Sequence, residues 1–257
     1  MAAISSTGHL ILLEELLPMR VSPEFYEMFN VVIQLGAILA VILLYFKKLN
    51  PFSPSKNQKE KQMTWSLWFK VIAAVIPSAV IGLLLDDWME ETFYNHVVVA
   101  ITLILYGVAF ILVERRNASL APKVRGVQGI DLRTALLIGA FQCLSLIPGT
   151  SRSGATILGG IFLGVSRGAA SEFSFFLAIP TMLGASALKL LKFFLDGSTL
   201  GGNEIAILLV GCLVAFLVSV AMIKGLMQYI QKNSFRVFGL YRIILGAVVI
   251  LYWLFTR

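Results

Sequence analysis

The chain is poor in charge for its length. Only 14% of its 257 residues are charged, whereas 58% are hydrophobic and the mean hydropathy is +0.86. Soluble domains carry about 25% charged residues. The composition therefore excludes a soluble globular protein, a disordered chain and a nucleic-acid-binding protein. It predicts a single integral membrane domain over residues 1–257.

Cysteine and histidine are equally scarce. Cys143 and Cys212 both lie in apolar stretches, without zinc-ligand spacing or a disulfide framework, and are predicted to be small buried residues. Histidine chemistry has two candidates, His9 and His96. The first residues show neither the basic nor the apolar region of a secretory signal peptide.

Long apolar runs are what the sequence does contain. A helix needs roughly 20 mostly apolar residues to cross a bilayer. Six stretches meet this requirement, at about 28–47, 66–86, 96–114, 171–194, 204–224 and 238–255. Two more apolar segments, 1–17 and 134–165, are interrupted by polar residues, and their arms are too short to span. They are predicted to be re-entrant helical hairpins in an all-α fold.

The positive charges predict the topology. Lysine and arginine concentrate in the stretches 47–65, 115–133 and 224–242, which the positive-inside rule places in the cytoplasm. Segment 1–17 then has both ends outside and segment 134–165 both ends inside. Such opposed hairpins are expected of an inverted-topology repeat, with units at about 1–114 and 134–255. Lys189 and Lys192, near the outer end of the fourth span, are exceptions to the charge rule.

The second broken segment has the composition of an anion site. Arg152 lies between two apolar arms, where a charge costs at least about 2.5–3.5 kcal/mol and needs a partner. Hydroxyl residues and glycines surround it: Ser151, Ser153, Thr156, Gly149 and Gly154. A helix starting near Ser153 would direct N–H groups at the break, which favours a phosphate or diphosphate. The alternative is a turn whose arginine extends to the cytoplasmic face.

The first broken segment offers Ser5, Ser6, Thr7 and His9. Ser6 and His9 are three residues apart and can share one face of a helical turn. His9 could act as a base toward a serine nucleophile or as an acid toward a leaving oxygen. The alternative is a hydrophilic N-terminus with an incidental histidine, but two breaks meeting at mid-membrane favour a site.

Two further polar residues are candidates for a supporting role. Glu172 is expected either to pair with Arg152 or Arg167 or to serve as an acidic residue at a helix start. Gln34 is expected to make a helix–helix hydrogen bond.

At four segments the chain resembles the undecaprenyl-diphosphatase family, the bacitracin-resistance membrane phosphatases of bacteria. These segments are Ile4–His9, Val32–Ala37, Pro148–Thr156 and Ser171–Phe175. The resemblance covers essentially the whole chain. It implies six spans and two opposed re-entrant hairpins, the first of them truncated here. It also implies hydrolysis of undecaprenyl diphosphate to undecaprenyl phosphate and phosphate, with an active site open to the outer face of the bacterial cytoplasmic membrane.

The resemblance also implies roles for the candidate residues. Ser6 would be the nucleophile or a phosphate ligand, His9 would transfer a proton, and Arg152 would clamp the diphosphate. The remaining ligands would be Ser5, Thr7, Gly149, Ser151, Ser153, Gly154 and Thr156, with Glu172 and Gln34 in support. Magnesium or calcium would assist, the partners would be the lipid substrate and the bilayer, and a homodimer is left open. The activity would recycle the lipid carrier for peptidoglycan synthesis and confer bacitracin resistance.

One departure from the family lies at the start of the sequence. Family members carry a Glu-x-x-x-Glu-Phe-Leu-Pro pattern before the Ser-Ser-Thr-Gly-His string, whereas this sequence starts three residues before Ile4. We therefore expect much reduced hydrolysis for the chain as given. Two rival functions remain open, a polyprenyl-phosphate transporter or flippase and a catalytically impaired lipid-diphosphate-binding protein.

Overall fold

The computed structural model describes residues 6, 9, 10, 19, 21–93 and 95–256. Within these residues the chain forms ten α-helices and two 3-10 turns, and no β-strand. The helices are α1 (Pro23–Val32), α2 (Gln34–Leu44), α3 (Phe46–Leu49), α4 (Gln58–Phe93), α5 (His96–Asn117), α6 (Leu132–Cys143), α7 (Arg152–Phe162), α8 (Arg167–Leu195), α9 (Gly202–Lys232) and α10 (Arg236–Thr256). The 3-10 turns are Val127–Gly129 and Leu144–Leu146.

Six helical segments are long and apolar enough to cross a membrane. They are Pro23–Leu44, Gln58–Leu85, His96–Asn117, Arg167–Leu195, Gly202–Ile230 and Arg236–Phe255. The prediction of an all-helical, multi-pass membrane protein with six spans is confirmed. Some of the predicted bounds were wrong.

The start of α4 shows why the bounds moved. The stretch 47–65 was predicted to be a loop, but α4 begins within it at Gln58. Asn57 and Glu60 bond reciprocally, each side-chain oxygen accepting from the other residue's backbone N–H at 2.8–2.9 Å. This capping box starts a helix in polar sequence, so α4 extends beyond its apolar span.

Glycines set the closest helix contacts. Gly107 of α5 and Gly239 of α10 face each other, and a methyl group on either would lie under 3 Å from the other's carbonyl oxygen. Gly36 of α2 lies against the carbonyl of Cys212 in α9 in the same way. In a bilayer, the hydrophobic effect does not drive helices together, so association depends on close packing, which small residues permit. Helix α10 is therefore held tightly against α5.

Ion pairs join the predicted cytoplasmic stretches at one end of the bundle. Glu114 of α5 is buried and accepts hydrogen bonds from Arg167 at the start of α8 and from the backbone N–H of Phe235, just before α10. Lys48 of α3 pairs with Glu172 of α8 at 2.7 Å. The three basic stretches therefore share this end, which we call the basic end.

The opposite end carries the exception noted in the sequence. Lys189 of α8 lies 3.6 Å from Glu27 of α1 in an ion pair. A carboxylate partner thus accounts for a lysine at the predicted outer end of the span.

Helices α6 and α7 are too short to span. They have 12 and 11 residues, about 16–18 Å at 1.5 Å per residue, against ~30 Å of hydrocarbon. Asp131 caps the N-terminus of helix α6, where hydrogen bonds from Thr134 hold the pKa of the Asp131 carboxyl below its usual range. Helix α7 ends at the basic end, where Asn117 donates to the Ile161 carbonyl at 2.7 Å. These lengths suit the predicted second hairpin; its membrane insertion and the repeat boundaries stay predictions.

Candidate functional site

The loop between α6 and α7 is fixed through its main chain. Gly149 has a φ of +86°, which favours glycine. Thr102 of α5 donates to the Pro148 carbonyl at 2.8 Å, and Arg242 of α10 donates to the Gly149 carbonyl at 3.0 Å. A methyl group on Gly149 would overlap Thr102 Oγ1 and the backbone of Val99. Side chains from two spans therefore hold the loop in one conformation.

Helix α7 begins at this loop with its N-terminus toward the break. Ser151 is the N-cap, and its Oγ accepts from the Gly154 N–H at 3.2 Å. The Ser151 and Ser153 hydroxyls are 3.3 Å apart. The first turn of a helix presents N–H groups and partial positive charge, which together bind anions.

Arg152, the first residue of α7, is half-buried beside this N-terminus. Its guanidinium contacts the sulfur of Met182 and lies 3.5 Å from Gln34 Oε1. Gln34 is itself fixed by donating to the Asn30 carbonyl at 3.0 Å. Both described partners are neutral, and no ion pair of the described residues involves Arg152. Its positive charge therefore remains available to an anion.

Thr156 lies deeper along α7. Its hydroxyl is buried and lies 2.6 Å from Ser174 Oγ of α8, with the Arg152 carbonyl at 3.0 Å. This hydroxyl joins α7 to α8, and its role as a diphosphate ligand stays a prediction.

The first broken segment is described at Ser6, His9 and Leu10, while Ser5 and Thr7 lie outside the described residues. Ser6 is exposed. A ring nitrogen of His9 is 2.6 Å from the Tyr241 hydroxyl, and the two rings stack with centroids 5.7 Å apart. Tyr241 directly precedes Arg242, so α10 contacts both broken segments at successive residues.

Of the two alternatives left open for Glu172, the ion pair with Arg152 or Arg167 was wrong. Glu172 accepts from Lys48 at 2.7 and 2.8 Å, while Arg167 bonds Glu114. Positions 167 and 172 are five residues apart on α8, which places them about 140° apart around the helix. Glu172 consequently fastens α3 to α8 and does not touch Arg152.

Arg242 was assigned to the basic stretch 224–242, and this assignment was wrong. Helix α10 begins at Arg236 and carries Arg242 into the bundle, where it is 0% exposed. Its position inside an apolar run was the available signal, because a charge within a span marks a functional site by default.

The described residues contain no ready-made cluster of metal ligands. Among them, no group of three or more His, Cys, Asp or Glu side chains is placed to hold a metal ion. The groups around the loop are hydroxyls, backbone N–H groups and guanidinium, which suit an anion.

Six spans and an arginine at the break between two short helices define a polytopic membrane protein with a candidate anion site inside the bundle. The family model for bacitracin resistance protein BacA matches residues 3–248. The chain belongs to this family.

Relatives match over nearly their whole length. A protein named undecaprenyl-diphosphatase from Enterococcus faecalis is 59% identical over 253 residues, covering 98% of this chain and 92% of its own. Proteins of the same name from Streptococcus thermophilus and Lactiplantibacillus plantarum are 59% and 58% identical, over 97% of this chain and 86% and 91% of theirs.

Proposed function

We propose that the protein hydrolyses undecaprenyl diphosphate to undecaprenyl phosphate and inorganic phosphate. The observation that carries this proposal is Arg152, which has neutral partners at the N-terminus of α7. The name shared by the relatives supplies the substrate.

The chemistry follows from the groups around the break. Arg152 and the first turn of α7 bind the diphosphate and stabilise the negative charge that develops during phosphoryl transfer. Ser6 or a water attacks the terminal phosphorus, and the bond from that phosphorus to the bridging oxygen breaks. His9 takes a proton from the attacking group or gives one to the leaving oxygen. If Ser6 attacks, water then hydrolyses the phosphoserine.

The setting of the reaction is part of the proposal. The polyprenyl chain lies in the bilayer against apolar helix faces, and the site opens to the outer face of the bacterial cytoplasmic membrane. The reaction recycles the lipid carrier for peptidoglycan synthesis and confers bacitracin resistance. A homodimer through α9, whose span is 6% buried, is a further proposal that the native mass in detergent tests.

A divalent cation also belongs to the proposal through the family resemblance. Phosphate release measured with EDTA, and again after adding magnesium or calcium, tests it. A rate unaffected by EDTA would contradict it.

The decisive experiment substitutes His9 in protein reconstituted with undecaprenyl diphosphate. We expect His9→Ala to lose at least about 100-fold in phosphate release, the usual scale of proton-transfer catalysis, while lipid-diphosphate binding is retained. His96→Ala, at the start of α5, is the matched control and should keep the wild-type rate. A transporter would bind the lipid diphosphate without releasing phosphate, so no release by the wild-type protein would refute the hydrolytic function. Full phosphate release by His9→Ala would refute the role of His9 in proton transfer.

A further inference from the structure

Two adjacent residues of α10 contact both broken segments. The Tyr241 hydroxyl lies 2.6 Å from a His9 ring nitrogen, and Arg242 Nη2 donates to the Gly149 carbonyl at 3.0 Å. Successive side chains on a helix point about 100° apart. One helix can therefore contact two segments that lie on different sides of it.

Arg242 is fully buried where the loop meets α7. Its guanidinium lies over the Tyr106 ring, 5.4 Å from the centroid, and a methyl group on Gly154 would lie 2.9 Å from Nη1. The same guanidinium therefore adjoins the loop carbonyl and the first turn of α7. Burying a charge at this depth is costly, which points to a role beyond filling space.

Helix α10 is a rigid support for these contacts. Gly239, two residues before Tyr241, packs directly on Gly107 of α5. Gly246, four residues after Arg242, would meet the Ala100 carbonyl of α5 if it carried a methyl group. Side chains on a rigid element hold a site more precisely than side chains on a loop.

We propose that Tyr241 and Arg242 form a positioning pair that aligns the two halves of the site. Tyr241 orients the His9 imidazole through its hydroxyl. Arg242 holds the Gly149 carbonyl and so aims the N-terminus of α7, with Arg152, at the diphosphate. Neither residue is a catalytic residue, because each acts through another group. The inference rests on the proposed hydrolysis.

The Tyr241 contact is tested with Tyr241→Phe, which keeps the ring and removes the hydroxyl. We expect kcat to fall about 10-fold with KM unchanged, and the pH dependence of kcat to change, because losing an orienting partner typically costs 10–100-fold. In a His9→Ala background the same substitution should have no further effect. Tyr229→Phe, whose ring packs on Phe238, is the control. An equal loss of kcat in the wild-type and His9→Ala backgrounds would overturn the proposed role of Tyr241.

The Arg242 contact is tested by competition with methylenediphosphonate, a diphosphate that is not hydrolysed. We expect Arg242→Gln to raise its inhibition constant about 10-fold and Arg242→Lys about 3-fold, since lysine can still donate one hydrogen bond. Arg236→Gln, exposed on the same helix, should leave it unchanged. If Arg242→Gln does not fold, Arg242→Lys decides, and an unchanged constant in that variant overturns the inference.

The two proposals fail in different ways. If the wild-type protein releases no phosphate from undecaprenyl diphosphate, the hydrolytic function is wrong, whereas wild-type phosphate release by His9→Ala refutes only the role of His9. If His9→Ala loses phosphate release while Tyr241→Phe and Arg242→Lys behave as wild type, the function stands and the positioning pair is wrong.

Discussion

The sequence Gly-x-Ser-Arg occurs twice, and both copies fold alike. Residues 149–152 start α7, and residues 164–167, at the basic end, start α8. Their glycines have φ values of +86° and +87°. In each, the serine caps the helix, accepting from an N–H three residues later at 3.2 and 3.3 Å, and the arginine is the first helical residue.

The two arginines differ in their tertiary partners. Arg167 bonds the buried carboxylate of Glu114 at 2.8 and 2.5 Å. Arg152 meets a methionine sulfur and a glutamine oxygen. The same local structure therefore makes an ion pair in one place and leaves an arginine with neutral partners in the other, because the neighbouring helices supply different side chains.

The largest expected difference is in activity. Arg152→Gln should lower kcat/KM for undecaprenyl diphosphate about 10³-fold, the scale on which an arginine stabilises phosphoryl transfer. Arg167→Gln should stay within about 3-fold of wild type once corrected for folded protein, because its guanidinium serves Glu114. Steady-state phosphate release by the two purified variants checks this. Similar losses of kcat/KM in both variants would show that the two arginines do not differ in function.

Thermal stability should fall more in Arg167→Gln than in Arg152→Gln, the reverse of the order expected for activity. Arg167→Gln leaves Glu114 buried at 1% exposure without its partner, which costs about 3 kcal/mol and lowers the melting temperature by roughly 6–12 °C. Arg152→Gln should lower it by less than about 3 °C, because no buried carboxylate is left unpaired. Thermal unfolding in detergent measures both. A larger loss for Arg152→Gln would assign that arginine a structural role.

Gly149 and Gly164 share a positive φ but have different neighbours. Alanine at either position suffers the strain of a positive φ, about 1–2 kcal/mol. Gly149→Ala should cost about 1–3 kcal/mol more, since its methyl group meets the backbone of Val99, whereas that of Gly164→Ala meets only the flexible Lys123 side chain. The unfolding midpoints of the two alanine variants test which of them loses more stability. Equal losses would show that the loop around Gly149 can shift to accommodate a methyl group.

The capping serines give the smallest effect. Ser151→Ala and Ser166→Ala should each cost about 1 kcal/mol, the usual value of an N-cap. Only Ser151→Ala should also reduce kcat/KM, by about 10-fold or less, because Ser151 is one of the proposed diphosphate ligands. Parallel melting and rate measurements on both variants test this. An equal loss of rate in both would remove the distinction.

The sequence allowed the six spans and the helix break before Arg152 to be predicted, because bilayer length and buried charge act through local composition. It could not reveal the partner of Arg167, since Glu114 is 53 residues away and meets it only after α5 and α8 pack. Arg242 was misplaced for a related reason. It adjoins the basic stretch in sequence, and the packing of α10 on α5 places it beneath the loop.

In the proposed site, the guanidinium of Arg152 binds the diphosphate and that of Arg167 does not. The most direct measurement is the affinity of wild type, Arg152→Gln and Arg167→Gln for a polyprenyl methylenediphosphonate in detergent. We expect a loss of about 30-fold or more for Arg152→Gln, equivalent to ~2 kcal/mol for a charge-assisted contact, and less than 2-fold for Arg167→Gln. Unchanged affinity in Arg152→Gln would contradict the proposed role of Arg152.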